Sequence, residues 1–281
     1  MGLKVRKDRD GTRTLEVEGD EPVDAIVRRF VDEGCTSVLV GFRQDADFLP
    51  ELPGLTEVSF LRGVKDLSAV YRVPGLTRLA LPTDHRGPLD LAAVPGLEFL
   101  VTPHCPGIEG LRELRSLREL VVHGWPSGDF AVLGDKPELR FLRLEMKRRA
   151  EVSALGLAGA PGVTTLWLYD GRLTDTRELA ALTAVRELAL RATKVDNVEF
   201  VAAMPELTRL ELDNAGDIAS LAPLRGHPSL RDLALAGSTR LVDGDFGPLF
   251  DMPALKGVGL DHNAPHYTHR AADIRQAFPP I

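Results

Sequence analysis

The sequence contains few of the residues that disulfide frameworks and nucleic-acid surfaces require. Only two of its 281 residues are cysteine, and aromatic residues make up 6% of the chain. Acidic residues outnumber basic ones, 41 to 34, which gives a formal net charge of −7. A nucleic-acid surface needs a basic face that displaces counterions, so nucleic acid is not the expected partner.

Long apolar runs are also missing. No stretch approaches the roughly 18 apolar residues of a membrane span, so no contact with a membrane is expected. The first ten residues carry charge, and no apolar run follows them, as it would in a signal peptide. The sequence therefore predicts neither a membrane anchor nor secretion.

The motifs of common catalytic sites are absent as well. The chain has no glycine-rich phosphate loop, no G-x-S-x-G, no H-E-x-x-H and no paired C-x-x-C, so we expect no catalytic residues and no cofactor. His262, His266 and His269 are the one group that could bind a transition metal, although their spacing fits no defined zinc motif. A polar C-terminal cap is the alternative interpretation of these histidines.

Leucine, by contrast, recurs at regular intervals. The pattern L-x-x-L-x-L, or a close variant, occupies 76–81, 117–122, 207–212 and 230–235. Eleven such repeats, here called rungs, can be aligned, and their first positions are Cys35, Leu55, Leu76, Leu97, Leu117, Leu139, Val163, Val185, Leu207, Leu230 and Leu255. The fourth and sixth positions are apolar, with Thr102 as the main deviation. In a short strand they would face the core, and the third, fifth and seventh would face outward.

Proline supports the same alignment. It stands two residues before the first position in eight rungs, at Pro53, Pro74, Pro95, Pro137, Pro161, Pro205, Pro228 and Pro253. Because proline lacks a backbone donor and fixes φ, it suits the turn that enters a strand and not the strand interior. The shared position predicts one strand per rung.

The remaining segments predict helical returns and two caps. Segments 66–70, 175–182 and 197–204 each open with a residue that can cap a short helix. We expect an N-terminal cap over 1–34, with a strand at 12–18 and a helix at 24–31. The solenoid would span 35–262, and a C-terminal cap or tail with a helix at 271–278 would span 263–281.

Residues 35–260 resemble the leucine-rich repeat family, and most closely its bacterial class with repeats of about 22 residues. The stretch 188–198, LALRATKVDNV, is similar to that class's L-x-L-x-x-T-x-V-x-D. Among the first ten rungs, the family's usual Asn or Thr at the ninth position occurs only at Thr193. The resemblance implies an α/β fold, a right-handed horseshoe solenoid with a parallel β-sheet on its concave face and short helices or turns on its convex face. It also implies a protein-binding scaffold without catalytic residues.

The two cysteines point to the location of the protein. Cys35 and Cys105 lie about three rungs apart, which is ~14 Å at ~4.8 Å per strand and exceeds the ~7 Å limit for a disulfide. Free thiols without a signal peptide indicate the cytoplasm.

The sequence does not determine the oligomeric state, and a monomer is favoured.

The outward positions predict a binding surface on rungs four to seven and their neighbours. Interfaces favour Trp, Tyr, Phe, Met and Arg. The candidate residues are Phe99, His123, Trp125, Phe141, Arg143, Glu145, Met146, Trp167, Tyr169 and Arg191. The alternative is packing between rungs, with Trp167 beside Arg143 in a cation–π pair and Tyr169 beside Glu145.

These features predict a non-catalytic scaffold that binds a partner protein through its sheet and acts as an adaptor, a regulator or an inhibitor. A second hypothesis is a sensor or enzyme that depends on a metal or small molecule and uses the C-terminal histidines or the concave groove. A third is a structural subunit whose aromatic zone is buried in a permanent assembly.

Overall fold

A computed structural model of the protein describes residues 2–8, 11–41, 45–62 and 66–279. The chain divides into two compact units, Met1–His123 and Gly124–Ile281, called here the first and second units. Each unit is built from short strands that alternate with short 3-10 helices (η).

The first unit contains a hairpin, one α-helix and the first five rungs. Its elements are β1 (Lys4–Lys7), β2 (Arg13–Val17), α1 (Val23–Asp32), β3 (Ser37–Val40), η1 (Leu49–Glu51), β4 (Glu57–Phe60), η2 (Val70–Arg72), β5 (Arg78–Ala80), η3 (Leu91–Ala93), β6 (Phe99–Pro103), η4 (Ile108–Glu113) and β7 (Glu119–Trp125), whose last two residues belong to the second unit. β1 is antiparallel to β2, and β2 to β7 pair successively in parallel. The strand predicted at 12–18 and the helix predicted at 24–31 are confirmed as β2 and α1.

The second unit contains the other six rungs. Its elements are η5 (Ala131–Leu133), β8 (Phe141–Met146), β9 (Glu151–Ser153), η6 (Leu157–Gly159), β10 (Thr165–Tyr169), β11 (Arg172–Asp175), η7 (Arg177–Ala181), β12 (Glu187–Arg191), η8 (Glu199–Ala203), β13 (Arg209–Asp213), β14 (Asp217–Ile218), η9 (Ala222–Leu224), β15 (Asp232–Ala236), β16 (Arg240–Leu241), α2 (Gly247–Phe250), β17 (Gly257–Leu260) and α3 (Ala271–Ala277). β8, β10, β12, β13, β15 and β17 pair in this order, all in parallel. β9 pairs with β11, and β14 with β16.

The predicted register is confirmed in both units. In every one of the eleven rungs the strand begins at the third position. The leucines at the fourth and sixth positions of β8, β10, β12 and β13 are fully buried, namely Leu142, Leu144, Leu166, Leu168, Leu188, Leu190, Leu210 and Leu212. Thr102, the exception at a sixth position, is also buried and donates a hydrogen bond from its hydroxyl to the Pro103 carbonyl. The eight prolines all lie outside the strands, in turns or a bend.

The return segments differ from the prediction in their helix type. Most are 3-10 helices of three to six residues, because a rung of this length leaves no room for longer α-helices. The expected capping residues Asp66, Asp175 and Asn197 each accept a hydrogen bond from the backbone N–H two residues later. They therefore form Asx turns that precede the helix, and are not caps of an α-helix.

The C-terminal segment covers part of the last strand. The predicted helix at 271–278 is confirmed as α3, which buries Ile274. Beyond it the Pro279 carbonyl accepts a hydrogen bond from the Val258 backbone N–H, and Arg275 donates to the Leu260 carbonyl. These bonds pair backbone groups of β17 that would otherwise be exposed. Residues 1, 9 and 10 of the predicted N-terminal cap, and 280 and 281 of the predicted tail, lie outside the described residues. The division into caps and solenoid stays a prediction.

A buried histidine connects two rungs of the second unit. His227 Nε2 lies 3.1 Å from the Met204 carbonyl oxygen, to which it donates. Its Nδ1 accepts from the backbone N–H groups of Ser229 and Leu230, at 3.3 and 3.1 Å. These bonds require the neutral imidazole, and burial lowers the pKa of His227 below its ordinary value of 6.5.

We therefore expect the second unit to lose stability in mild acid. Because the folded-state pKa of His227 lies below 6.5, the unfolded chain binds more protons in this window. The contribution of His227 is complete above about pH 6.5 and declines as the pH falls toward the folded-state pKa. Urea unfolding at pH 7.5 and 5.5 measures it, with His227→Gln as the comparison. His85, whose pKa burial also lowers, contributes in the same direction to wild type and variant alike. An equal pH dependence in both would contradict this assignment.

Candidate functional site

The outward face of β8, β10, β12, β13, β15 and β17 is called here the second-unit sheet face. Strand pairing places Trp167 between Arg143 and Ala189, and Tyr169 between Glu145 and Arg191. The predicted neighbours Trp167 with Arg143, and Tyr169 with Glu145, are thus confirmed as strand partners. All of these side chains except the buried Ala189 are half-buried.

The aromatic rings of this face contact one another and the arginines. Phe141 and Trp167 pack edge to face, with ring centroids 5.1 Å apart and an interplanar angle of 77°. The Trp167 indole N–H donates to Glu187 Oε1 at 3.1 Å. Ring packing and this hydrogen bond together fix the orientation of the indole.

The expected cation–π pair between Trp167 and Arg143 is wrong. The Arg143 guanidinium pairs with Glu145 and lies 4.6 Å from the centroid of the Tyr169 ring. Arg191 is the arginine over Trp167, at 5.7 Å from its ring centroid. Diagonal neighbours on a sheet lie within reach of long side chains, so the direct strand partner need not be the contact.

Arg191 forms the centre of a hydrogen-bond network. Its Nε and one terminal nitrogen donate to the two carboxylate oxygens of Glu211, at 2.6 and 2.8 Å. The other terminal nitrogen donates to the Tyr169 hydroxyl at 3.0 Å. Glu211 is 13% exposed, and the hydrogen bonds from Arg191 hold the pKa of its carboxyl below the usual range. The network keeps Glu211 ionised and holds Tyr169 in one position.

Comparison of the sequence with protein-family models gives no match, and comparison with curated proteins gives none. Comparison with solved structures does. An internalin from Listeria monocytogenes, InlF, is 18% identical, with a TM-score of 0.67 over 85% of this chain and 80% of that chain. Together with the repeating strands and buried leucines, this decides the fold. The protein has the leucine-rich repeat fold.

Two larger leucine-rich repeat structures match as well. The plant peptide hormone receptor RGFR1, solved in complex with RGF2, is 16% identical with a TM-score of 0.60, over 92% of this chain and 44% of that chain. A TLR13–ssRNA13 complex is 14% identical with a TM-score of 0.60, over 88% of this chain and 39% of that chain. This chain therefore spans less than half of the chain in either structure.

Two predicted site residues belong to the core of the repeats. Trp125 is 2% exposed and Met146 3%, so neither can contact a partner. Met146 is at the eighth position of its rung and points inward, in phase with Leu142 and Leu144. Trp125 is at the ninth position, where the equivalent Thr193 is also buried. The alternation of side chains along the strand indicates that Met146 is buried. The register of the repeat indicates the same for Trp125.

The structure brings six of the predicted residues together on the second-unit sheet face: Phe141, Arg143, Glu145, Trp167, Tyr169 and Arg191. The two others project from the first unit. There the Arg78 guanidinium lies 4.0 Å from the centroid of the Phe99 ring, and His123 is half-buried. Glu187 and Glu211 were missed as members of the cluster, although their outward positions indicate that they face it.

The C-terminal histidines are held in separate contacts. His266 Nε2 bonds the Leu241 carbonyl at 3.0 Å. The His269 ring packs on Phe250, with centroids 4.8 Å apart, and its Nδ1 lies 2.9 Å from the Thr268 hydroxyl. Within the described ranges, no group of three or more His, Cys, Asp or Glu side chains is arranged to hold a metal ion. The three imidazoles therefore do not converge.

Neither cysteine has the environment of a nucleophile. Cys35 and Cys105 are both buried, and burial raises the pKa of each thiol. A thiol of raised pKa is protonated and unreactive at neutral pH. Over the part of the chain that the structure describes, no helix has both the length and the apolar character needed to cross a membrane.

Proposed function

We propose that this leucine-rich repeat protein is a non-catalytic scaffold that binds a partner protein through the second-unit sheet face. Its role would be that of an adaptor, a regulator or an inhibitor. The observation that carries the proposal is the cluster of three aromatic rings and two arginines at outward positions of β8, β10 and β12. A few such residues supply most of the binding energy of a typical interface.

The cluster is held in place before any partner arrives. The Trp167 indole is bonded to Glu187 and the Tyr169 hydroxyl to Arg191. Within this cluster the buried Nε of Arg143 has no hydrogen-bond acceptor; it lies beside the Tyr169 ring. Side chains that are already ordered lose little entropy on binding, which favours affinity.

The charge of the chain favours a protein over a nucleic acid as partner. Structures of this fold are known in complex with RGF2 and with ssRNA13, so the fold alone does not determine the class of partner. The net charge of −7, and carboxylates beside each arginine of the cluster, disfavour phosphate backbones.

We also propose that the protein is a cytoplasmic monomer. Its two buried thiols are compatible with a reducing compartment.

Affinity capture from the native cell tests this proposal. We expect wild type to retain a protein partner and Trp167→Ala to retain much less of it, because the variant removes the central ring. Leu155→Ala is the matched control: Leu155 is 49% exposed in the second unit but lies outside the strands. Equal retention by wild type and Trp167→Ala would contradict the proposed surface.

A further inference from the structure

A cavity of about 540 Å³ lies beyond the carboxyl ends of β10, β12 and β13. None of the residues that line it belongs to the second-unit sheet face. Three cationic side chains line it, those of Arg172, Lys194 and Arg240. Asp196 and Asp217 are the two carboxylates in its wall. The cations therefore exceed the carboxylates in the lining.

The cavity exists because one rung has a glycine at the position where its neighbours have long side chains. Arg172, Lys194 and Gly216 occupy the tenth position of three successive rungs. The next rung places Arg240 beside Gly216, and the Arg240 backbone N–H donates to the Gly216 carbonyl at 2.9 Å. Gly216 has φ +91° and carries no side chain, so Lys194 and Arg240 stand on either side of a gap.

The charges on the two sides of this gap are not neutralised by carboxylates. Arg172 is satisfied, since it donates to both oxygens of Asp196 at 2.6 and 2.8 Å. Lys194 Nζ donates to a neutral acceptor, the Asn214 carbonyl, at 2.7 Å.

Arg240 has no such partner. Its guanidinium makes no hydrogen bond or ion pair within the described ranges of the chain. Asp217 is its strand partner in the ladder of β14 and β16, yet the two side chains are not in ion-pair contact. Two cationic side chains thus flank an open space with free donors.

We propose that this cavity binds a phosphate-type oxyanion between Lys194 and Arg240, above Gly216. These residues stand two rungs apart, ~10 Å at ~4.8 Å per strand, which leaves room for one phosphate between their long side chains. A phosphate monoester carries a charge of about −1.5 to −2 and three strong acceptor oxygens. Lysine offers it a point charge, and arginine a planar fork of donors. The proposal is independent of the proposed protein-binding surface.

A titration of the full chain with inorganic phosphate at constant ionic strength tests the site, followed by the ¹H–¹⁵N signal of Gly216. We expect a saturable shift, and an affinity about fivefold weaker in Arg240→Gln, since one charge-assisted bond is removed. Arg231→Gln is the matched control, because Arg231 is an exposed arginine of the same unit that does not line the cavity. Its affinity should equal that of wild type.

Two further probes identify the source and the class of the anion. If a phosphoserine tripeptide binds more tightly than inorganic phosphate, the site is assigned to phosphorylated peptides. If the two bind equally, the site is assigned to the free ion. Both results support the proposal. A shift that does not saturate, an affinity unchanged in Arg240→Gln, or acetate binding as tightly as phosphate would overturn it. Thermal unfolding of both variants confirms that each is folded.

Discussion

The Trp125→Ala variant is expected to unfold with a free energy about 3–5 kcal/mol below that of wild type. Trp125 is the largest fully buried side chain, packed on Phe130 with ring centroids 5.1 Å apart. Its indole N–H donates to the Asp129 carbonyl at 3.1 Å. Alanine would leave a cavity and remove the donor to that carbonyl, and both effects lower stability.

Trp167→Ala is the comparison, because it removes the same side chain from an outward position. We expect it to cost about 1–2 kcal/mol, the contribution of cross-strand and aromatic contacts at a half-buried site. Urea unfolding followed by circular dichroism measures both variants. If the two lost equal stability, the assignment of Trp125 to the core and Trp167 to the surface would be wrong.

Gly156→Ala is expected to lower the free energy of unfolding by about 3 kcal/mol or more. Gly156 has φ +101°, a conformation that disfavours any Cβ. A Cβ there would also fall well inside van der Waals contact with the backbone of Phe130 and Ala131 on the preceding rung. Since the obstacle is backbone, it cannot move aside without separating the two rungs.

Gly226→Ala separates these two causes. Gly226 also has a positive φ, +68°, but nothing lies within 4 Å of the Cβ it would gain. It should therefore cost only the conformational strain, about 1–2 kcal/mol. Urea denaturation of the two variants, side by side, gives the difference. A loss in Gly156→Ala no larger than in Gly226→Ala would show that the close approach of rungs does not limit stability.

The sequence predicted the register of the repeats because one physical requirement acts on every rung. Each strand must bury its fourth and sixth side chains, as Leu188 and Leu190 do. This requirement repeats in all eleven rungs, and in eight of them a proline in the turn before the strand supports the same register. The sheet order and the outward positions of Trp167 and Tyr169 follow from this register.

Contacts on the open face could not be predicted in the same way. Long side chains there reach direct and diagonal neighbours alike, so spacing does not decide between them. Arg143 therefore contacts Tyr169 and not its strand partner Trp167, and Arg191 pairs with Glu211. The prediction for Trp125 is wrong for a different reason: aromatic residues are common at interfaces, but the ninth position of this rung faces the core.

The proposed binding surface is best tested by measuring the dissociation constant of the captured partner with wild type, Trp167→Ala, Trp167→Phe and Leu155→Ala. We expect Trp167→Ala to lose about 2 kcal/mol or more of binding free energy, which is roughly 30-fold in the dissociation constant. Trp167→Phe should recover part of it by restoring a ring, and Leu155→Ala should bind as wild type does. A change of less than about threefold in Trp167→Ala would contradict the claim that the second-unit sheet face binds the partner.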